Sequence, residues 1–238
     1  MNAQVEQARR AVAELYPDAR GAVLGGSAAT GLAGARSDLD IGVLLPEGHL
    51  SGREVVRHEG RQVEVFRNAI AELPGFFEWD RGRRRATVVF LYAEGLPLTD
   101  PYGHVARTRE RARAVLESGP PPLSADEWEL GRYVLTCWLD DLTDADPSER
   151  SEQLALADAL LQEAAHLLTA HHRAWTGIGK WLPRRLLAAD PARGGALLNG
   201  HRLLAERADP APLLAAAHEL LDLVGGPLRE GFRHTWSR

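Results

Sequence analysis

The chain has 238 residues, of which 45% are hydrophobic and 26% charged. A chain of this length forms one or two domains and buries enough surface to fold without a disulfide or a metal. Its 28 basic and 33 acidic residues give a net charge of −5, which disfavours a protein whose main work is to bind nucleic acid. The single cysteine excludes an intrachain disulfide, and we find no apolar run typical of a signal peptide or a membrane span. We therefore expect a cytoplasmic protein without a membrane or nucleic-acid partner.

The two halves of the chain differ in character. From Met1 to about Leu98, short apolar runs alternate with glycine turns, whereas alanine and leucine recur at helical spacing from about Pro101 onward. Between them, the stretch Ser118–Pro122 holds one glycine and three prolines and cannot lie inside a helix. We predict an α+β fold in which a small mixed-sheet domain (1–118) precedes an all-α helical bundle (119–238).

The first half contains helix and strand patterns in alternation. Residues 76–94 are expected to begin with a helix, and residues 84–94 fit a helix or a strand. The apolar patterns before it predict helices over Val5–Tyr16 and Ala28–Leu32 and strands over Ala22–Leu24, Asp38–Leu45 and Arg61–Phe66.

Helix-capping residues mark the second half. Ser124 with Glu127 forms a capping-box pattern, and Asp146 with Glu149 forms another. Asp190 and Asp209 each precede a proline, which suits the first position of a helix. These signals predict helices over 125–142, 147–173, 191–207 and 210–224, with a shorter helix after Lys180.

A glycine turn follows the first predicted strand. Gly25 and Gly26 leave the main chain bare where a helix begins, so that backbone N–H groups can face a phosphate, and Ser27 adds a hydroxyl. The spacing is neither that of a P-loop nor that of a dinucleotide-binding motif. By itself, Gly-Gly-Ser more often marks an ordinary turn.

Three acids interrupt the next apolar strands. Asp38 and Asp40 lie two residues apart and share one face of a strand, where adjacent carboxylates repel unless a cation joins them. Hard oxygen ligands favour Mg²⁺. Glu64 joins this pair if its strand lies beside theirs. The alternatives are a solvated strand entrance for the aspartates and an outward-facing residue on an edge strand for Glu64.

Together, these residues resemble the DNA polymerase β-type nucleotidyltransferase superfamily, whose signature is Gly-Gly/Ser-Ser followed by Asp-hydrophobic-Asp on a strand. The pattern maps onto Gly25, Gly26, Ser27, Asp38 and Asp40 and covers roughly residues 20–100. Glu64 stands in place of a third acid that is often aspartate. The resemblance implies metal-dependent nucleotidyl transfer, with two Mg²⁺ ions held by the acids and ATP or another nucleoside triphosphate as co-substrate.

The two-domain plan is similar to that of the antibiotic nucleotidyltransferases that adenylylate aminoglycosides or lincosamides. This implies transfer of AMP to a hydroxyl of a small-molecule acceptor such as an aminoglycoside-like antibiotic. Two alternatives stay open: an antitoxin-like enzyme that modifies a protein or RNA partner, and a non-catalytic nucleotide-binding module. The sequence does not determine the acceptor, the preferred nucleotide or the oligomeric state.

Two residues of the helical half are further candidates. Asp141 is predicted to fall on an apolar helix stripe with Val134 and Cys137, where it would act as a base or as an anchor for an acceptor amine. The alternative is a buried ion pair with an arginine. Lys180, the only lysine, follows Gly177 and Gly179, so we predict that it contacts the triphosphate. The alternative is an ordinary solvated loop.

Overall fold

A computed structural model describes residues 3–29 and 37–235, without the side chain of Ser27. The chain divides into two compact units, Met1–Gly119 and Pro120–Arg238. In the described residues, the first unit combines a five-stranded sheet with helices, and the second contains helices only. The predicted fold class, a small mixed sheet followed by an all-α part, is confirmed.

The first unit contains, in chain order, the elements α1 (Ala3–Leu15), β1 (Gly21–Leu24), α2 (Gly26–Ala29), β2 (Leu39–Leu45), β3 (Gly52–His58), β4 (Arg61–Ala69), α3 (Leu73–Gly82), α4 (Thr87–Glu94), β5 (Leu96–Thr99) and α5 (His104–Ser118). α2 begins two residues before the predicted helix, and the rest of that prediction, residues 30–32, lies outside the described residues.

The sheet has the strand order β3-β4-β2-β1-β5. β2 and β4 run parallel, and all the other neighbouring pairs are antiparallel. Strands β1, β2 and β4 were predicted, whereas the edge strands β3 and β5 were not. β3 carries charged residues at three of its seven positions with no apolar face of its own, and β5 contains Pro97, which is disfavoured in a central strand.

The two faces of the sheet are covered differently. On one face, Leu39, Ile41 and Val43 of β2 pack in a buried cluster with α1. On the other face, a Cβ at Gly42 would lie 3.1 Å from Leu91 and 3.2 Å from Tyr92, so α4 packs against the strand there. Because side chains alternate along a strand, Asp40 shares this second face with Gly42.

Residues 84–94, which fitted either a helix or a strand, include the helix α4. Its start is fixed by the buried Asp80, whose carboxylate accepts hydrogen bonds from the backbone N–H groups of Val88 and Val89 at 2.6 and 3.3 Å. Tyr92 of the same helix donates a hydrogen bond to Asn68 on β4 at 3.0 Å. The first contact therefore joins α4 to α3, and the second joins α4 to the sheet.

The second unit contains the helices α6 (Ala125–Asp144), α7 (Arg150–His171), α8 (Trp181–Ala189), α9 (Pro191–Arg207) and α10 (Ala211–Leu223). The capping box of Ser124 and Glu127 is present, and Asp190 caps α9 through the backbone N–H groups of residues 192 and 193. The second predicted capping box is wrong. Asp146 instead accepts hydrogen bonds from Ser148 in a turn before α7.

The segment after α10 returns along α6. Arg132 donates hydrogen bonds to the carbonyl oxygens of Gly225 and Gly226, and the ring of Phe232 stacks on Tyr133 with centroids 4.0 Å apart. Arg229 forms a bidentate ion pair with Asp140, which holds the pKa of that carboxyl below its ordinary value. Residues 225–232 therefore tie the end of the second unit to its first helix.

No helix within the two described ranges is sufficiently long and apolar to cross a lipid bilayer.

Glu163 on α7 is a partly buried carboxyl of the second unit. One of its oxygens lies 3.1 Å from the position that a Cβ at Gly131 of α6 would occupy. Burial raises the pKa of the Glu163 carboxyl from its ordinary value of 4.5 to about 7. The folded protein therefore holds this proton more tightly than the unfolded chain does.

We expect this group to make stability depend on pH. Its contribution is fully present below about pH 4.5 and is lost as the pH rises to about 7, for a total of up to about 3 kcal/mol. Glu163→Gln should therefore match the natural chain at pH 4 and exceed it in the free energy of unfolding at pH 8, as measured by urea titration. Glu219→Gln, an exposed site on α10, is the control. Equal stability of Glu163→Gln and the natural chain at pH 8 would contradict the expectation.

Candidate active site

Parallel pairing of β2 with β4 brings the candidate acids together. In the observed register, Asp40 lies directly opposite Glu64, near the start of both strands. Asp38 precedes β2 by one residue. One carboxylate oxygen from each of the three acids lies within 4.8 Å of the other two. Residues 26 positions apart in the sequence therefore form one compact acidic cluster, which we call the acid cluster.

Neighbouring residues hold the acid cluster in place. Arg61, the first residue of β4, donates a hydrogen bond to the backbone carbonyl of Ser37 at 2.9 Å, which fixes the chain just before Asp38. Arg53 of β3 donates through Nε to Glu64. Glu64 is buried, whereas Asp38 and Asp40 are half-buried. The cluster thus combines one carboxylate removed from water with two that solvent reaches.

The glycine turn lies directly against the acid cluster. The backbone N–H of Gly25 donates to the carbonyl oxygen of Asp40 at 2.7 Å. Gly26 has a φ of +61°, and a Cβ there would lie 1.9 Å from Asp40 Oδ2. Only glycine adopts this backbone conformation without strain and leaves room for the carboxylate. Ser27 lies in the first turn of α2, and its side chain is outside the described part of the structure.

The donor set of the acid cluster fits a divalent cation. Carboxylate oxygens are the ligands that Mg²⁺ prefers, and three negative groups this close repel one another without a counter-charge. The exclusion of a side chain at Gly26 keeps space open beside Asp40. Asp38, Asp40 and Glu64 are therefore the residues that would hold such an ion.

The candidates from the second half lie in the second unit. The predicted apolar position of Asp141 is wrong, since Asp141 is exposed and the buried face of α6 carries Leu135, Leu139 and Leu142. The packing face is rotated by about one residue from the stripe that the sequence indicated, because α7 and α10 contact α6 on that side. Lys180 is exposed at the start of α8.

Sequence reasoning missed two arginines beside the acid cluster, Arg53, which contacts Glu64, and Arg61, which contacts Ser37. Arg61 belongs to a predicted strand, but its hydrogen bond depends on the position of Ser37, which the sequence does not give. Arg53 lies on β3, which was not predicted. Arg53, Val55 and Arg57 occupy every second position of β3, and all three are exposed. This pattern of charged residues on one face is the one signal that favours an edge strand at this place.

The glycine turn allows a stability test and a binding test in the same variant. Gly26→Ala and Gly48→Ala both place alanine at a positive φ, and at Gly48 no atom lies within 4 Å of the added Cβ. We expect each to lower the free energy of unfolding by about 1 kcal/mol. Only Gly26→Ala should also turn the Asp40 carboxylate away, which we expect to weaken Mn²⁺ binding by roughly tenfold or more. Titration calorimetry with Mn²⁺ measures this, and equal affinity in the two variants would contradict it.

Comparison with known proteins identifies the first unit. Residues 5–112 match the family model of the nucleotidyltransferase domain. Among solved structures, the chain is similar to a nucleotidyltransferase-like protein from Exiguobacterium sibiricum, with 14% identity and a TM-score of 0.45 over 92% of this chain and 74% of that one. A search of curated protein sequences gives no significant match.

The family match covers every strand of the sheet, the glycine turn and the acid cluster. The resemblance inferred from the glycine and aspartate motifs is therefore confirmed. Residues 5–112 of the first unit form a nucleotidyltransferase domain, and this domain family supports the activity of a nucleotidyltransferase enzyme.

Proposed function

We propose that this enzyme transfers a nucleoside monophosphate, AMP from ATP, to a hydroxyl group of a small-molecule acceptor in a metal-dependent reaction. The observation that carries the proposal is the acid cluster, whose three carboxylates converge within 4.8 Å beside the bare glycine turn. An aminoglycoside-like antibiotic is the acceptor class to test first. Resistance to such an antibiotic and a cytoplasmic location belong to the same proposal.

Asp38, Asp40 and Glu64 would hold the metal, which we propose to be two Mg²⁺ ions. When bound, such ions would supply the positive charge that offsets the negative charge developing on the departing pyrophosphate. The carboxylates would hold fixed positions relative to one another, since they lie on a pair of strands whose register is fixed by the sheet. Burial of Glu64 excludes water from one side of this group.

The glycine turn would bind the phosphates. With Gly26 exposed and lacking a side chain, a phosphate can approach the main chain beside Asp40. We propose that Gly25, Gly26 and Ser27 contact the triphosphate. In the transfer, the acceptor oxygen forms its bond to the α-phosphorus as the bond to pyrophosphate breaks, and a carboxylate base takes the hydroxyl proton.

We propose that residues 1–118 form the catalytic domain and that the bundle of residues 119–238 supplies the acceptor site. Within the bundle, we propose Lys180 as a contact of the triphosphate. Asp141 is proposed as the base or as the anchor for an acceptor amine. Its carboxylate is exposed and therefore accessible to an acceptor, which supports this role.

The role of the acid cluster is tested by removing single charges. Asp40→Asn and Asp38→Asn should each lower the rate of pyrophosphate release at least about 10³-fold, because each removes a charge that the transition state requires. Asp18→Asn, an exposed site in the loop after α1, is the matched control. The measurement uses α-labelled ATP, Mg²⁺ and a panel of aminoglycoside-like acceptors. Turnover that survives in Asp40→Asn would overturn the proposal.

The same assay separates the other acceptor classes. Labelled AMP on a small molecule supports the proposal. A mass gain of one nucleotide on a co-purified protein or RNA would replace it with an antitoxin-like function. ATP binding unaffected by either aspartate substitution, with no turnover, would indicate a non-catalytic nucleotide-binding module.

Kinetics of second-unit variants test the bundle candidates. Asp141→Asn should lower kcat about 10²-fold if the carboxylate acts as the base, whereas Asp144→Asn, an exposed site on the same helix, should not.

Lys180→Gln should raise KM for ATP several-fold, and Lys180→Arg should restore it, because the arginine retains the charge. Unchanged constants in Asp141→Asn and Lys180→Gln would remove these residues from the site.

A further inference from the structure

Arg53 joins the acid cluster from the edge of the sheet. It lies on β3 in register with Phe66, two register pairs away from Glu64, and its Nε donates to the Glu64 carboxylate. Its guanidinium also lies over the ring of Phe66, 5.0 Å from the ring centroid. The Arg53 side chain therefore has two contacts on β4, one with Glu64 and one with Phe66.

The two partners of this ion pair differ in their exposure to water. The side chain of Glu64 is 11% exposed, whereas that of Arg53 is 64% exposed. A carboxylate removed from water beside two other acids needs a positive partner. The arginine can leave at little cost, because its charge stays in solvent and its aromatic contact with Phe66 persists.

We propose that Arg53 is the resident counter-cation of the acid cluster and competes with the divalent ion for Glu64. This inference rests on the proposed function, since it takes the acid cluster to be the metal site. In the absence of metal, Arg53 neutralises Glu64 and holds its carboxylate next to Asp40. The free enzyme therefore binds a divalent ion weakly, and full occupancy requires the added negative charge of the triphosphate.

Calorimetric titration with Mn²⁺ alone, without nucleotide, tests this competition. Arg53→Gln removes the charge from an exposed site, and we expect it to tighten Mn²⁺ binding about tenfold. Arg53→Lys retains a positive charge, so its affinity for Mn²⁺ should stay close to that of the natural chain. The matched control is Arg10→Gln. Arg10 is an exposed arginine on α1 that forms an ion pair with Glu59 at 2.7 Å. Adding a non-hydrolysable ATP analogue should reduce the difference in Mn²⁺ affinity between Arg53→Gln and the natural chain.

The outcomes separate the inference from the function on which it rests. Tighter Mn²⁺ binding in Arg53→Gln, with no change in Arg10→Gln, supports the competition. Equal or weaker binding in Arg53→Gln, while Asp40→Asn loses binding, overturns the role of Arg53 but leaves the metal site in place. Absence of saturable Mn²⁺ binding in the natural chain and in Arg53→Gln alike would overturn both.

Discussion

The candidate active site depends on the parallel pairing of β2 with β4. Only this pairing places Asp40 opposite Glu64 at the same end of two neighbouring strands. The edge strand β3 makes it possible, since the chain passes from β2 to β3 and then returns antiparallel to β3 in the gap between the two. A direct hairpin between β2 and β4 would run antiparallel.

The glycine turn adds a second constraint to the same place. Antiparallel pairing with β2 aligns Leu24 with Ile41, so the end of β1 arrives beside Asp40. There Gly26 adopts a positive φ that favours glycine. Its backbone lies so close to the Asp40 carboxylate that a side chain at this position would clash with it. The glycine turn and the acid cluster are thus held in place by one set of strand pairings.

The sequence predicts the parts of the site that depend on local pattern. The glycine turn and the three acids each interrupt an apolar segment, and strands β1, β2 and β4 follow from those segments. Arg53 was not found, because its role depends on a register between two strands, one of which has no apolar face. Asp141 was misplaced because the buried side of α6 is set by α7 and α10, and a helical wheel contains no information about them.

The return of residues 225–232 along α6 has a consequence for synthesis on the ribosome. α6 emerges about 90 residues before the segment that supplies its stacking and ion-pair partners, so its outer side lacks these contacts until residues 229–232 have been synthesised. The sheet of the first unit, by contrast, is complete once β5 has emerged. Because domains generally fold as units during synthesis, the nucleotidyltransferase domain forms before α6 gains its contacts with residues 225–232.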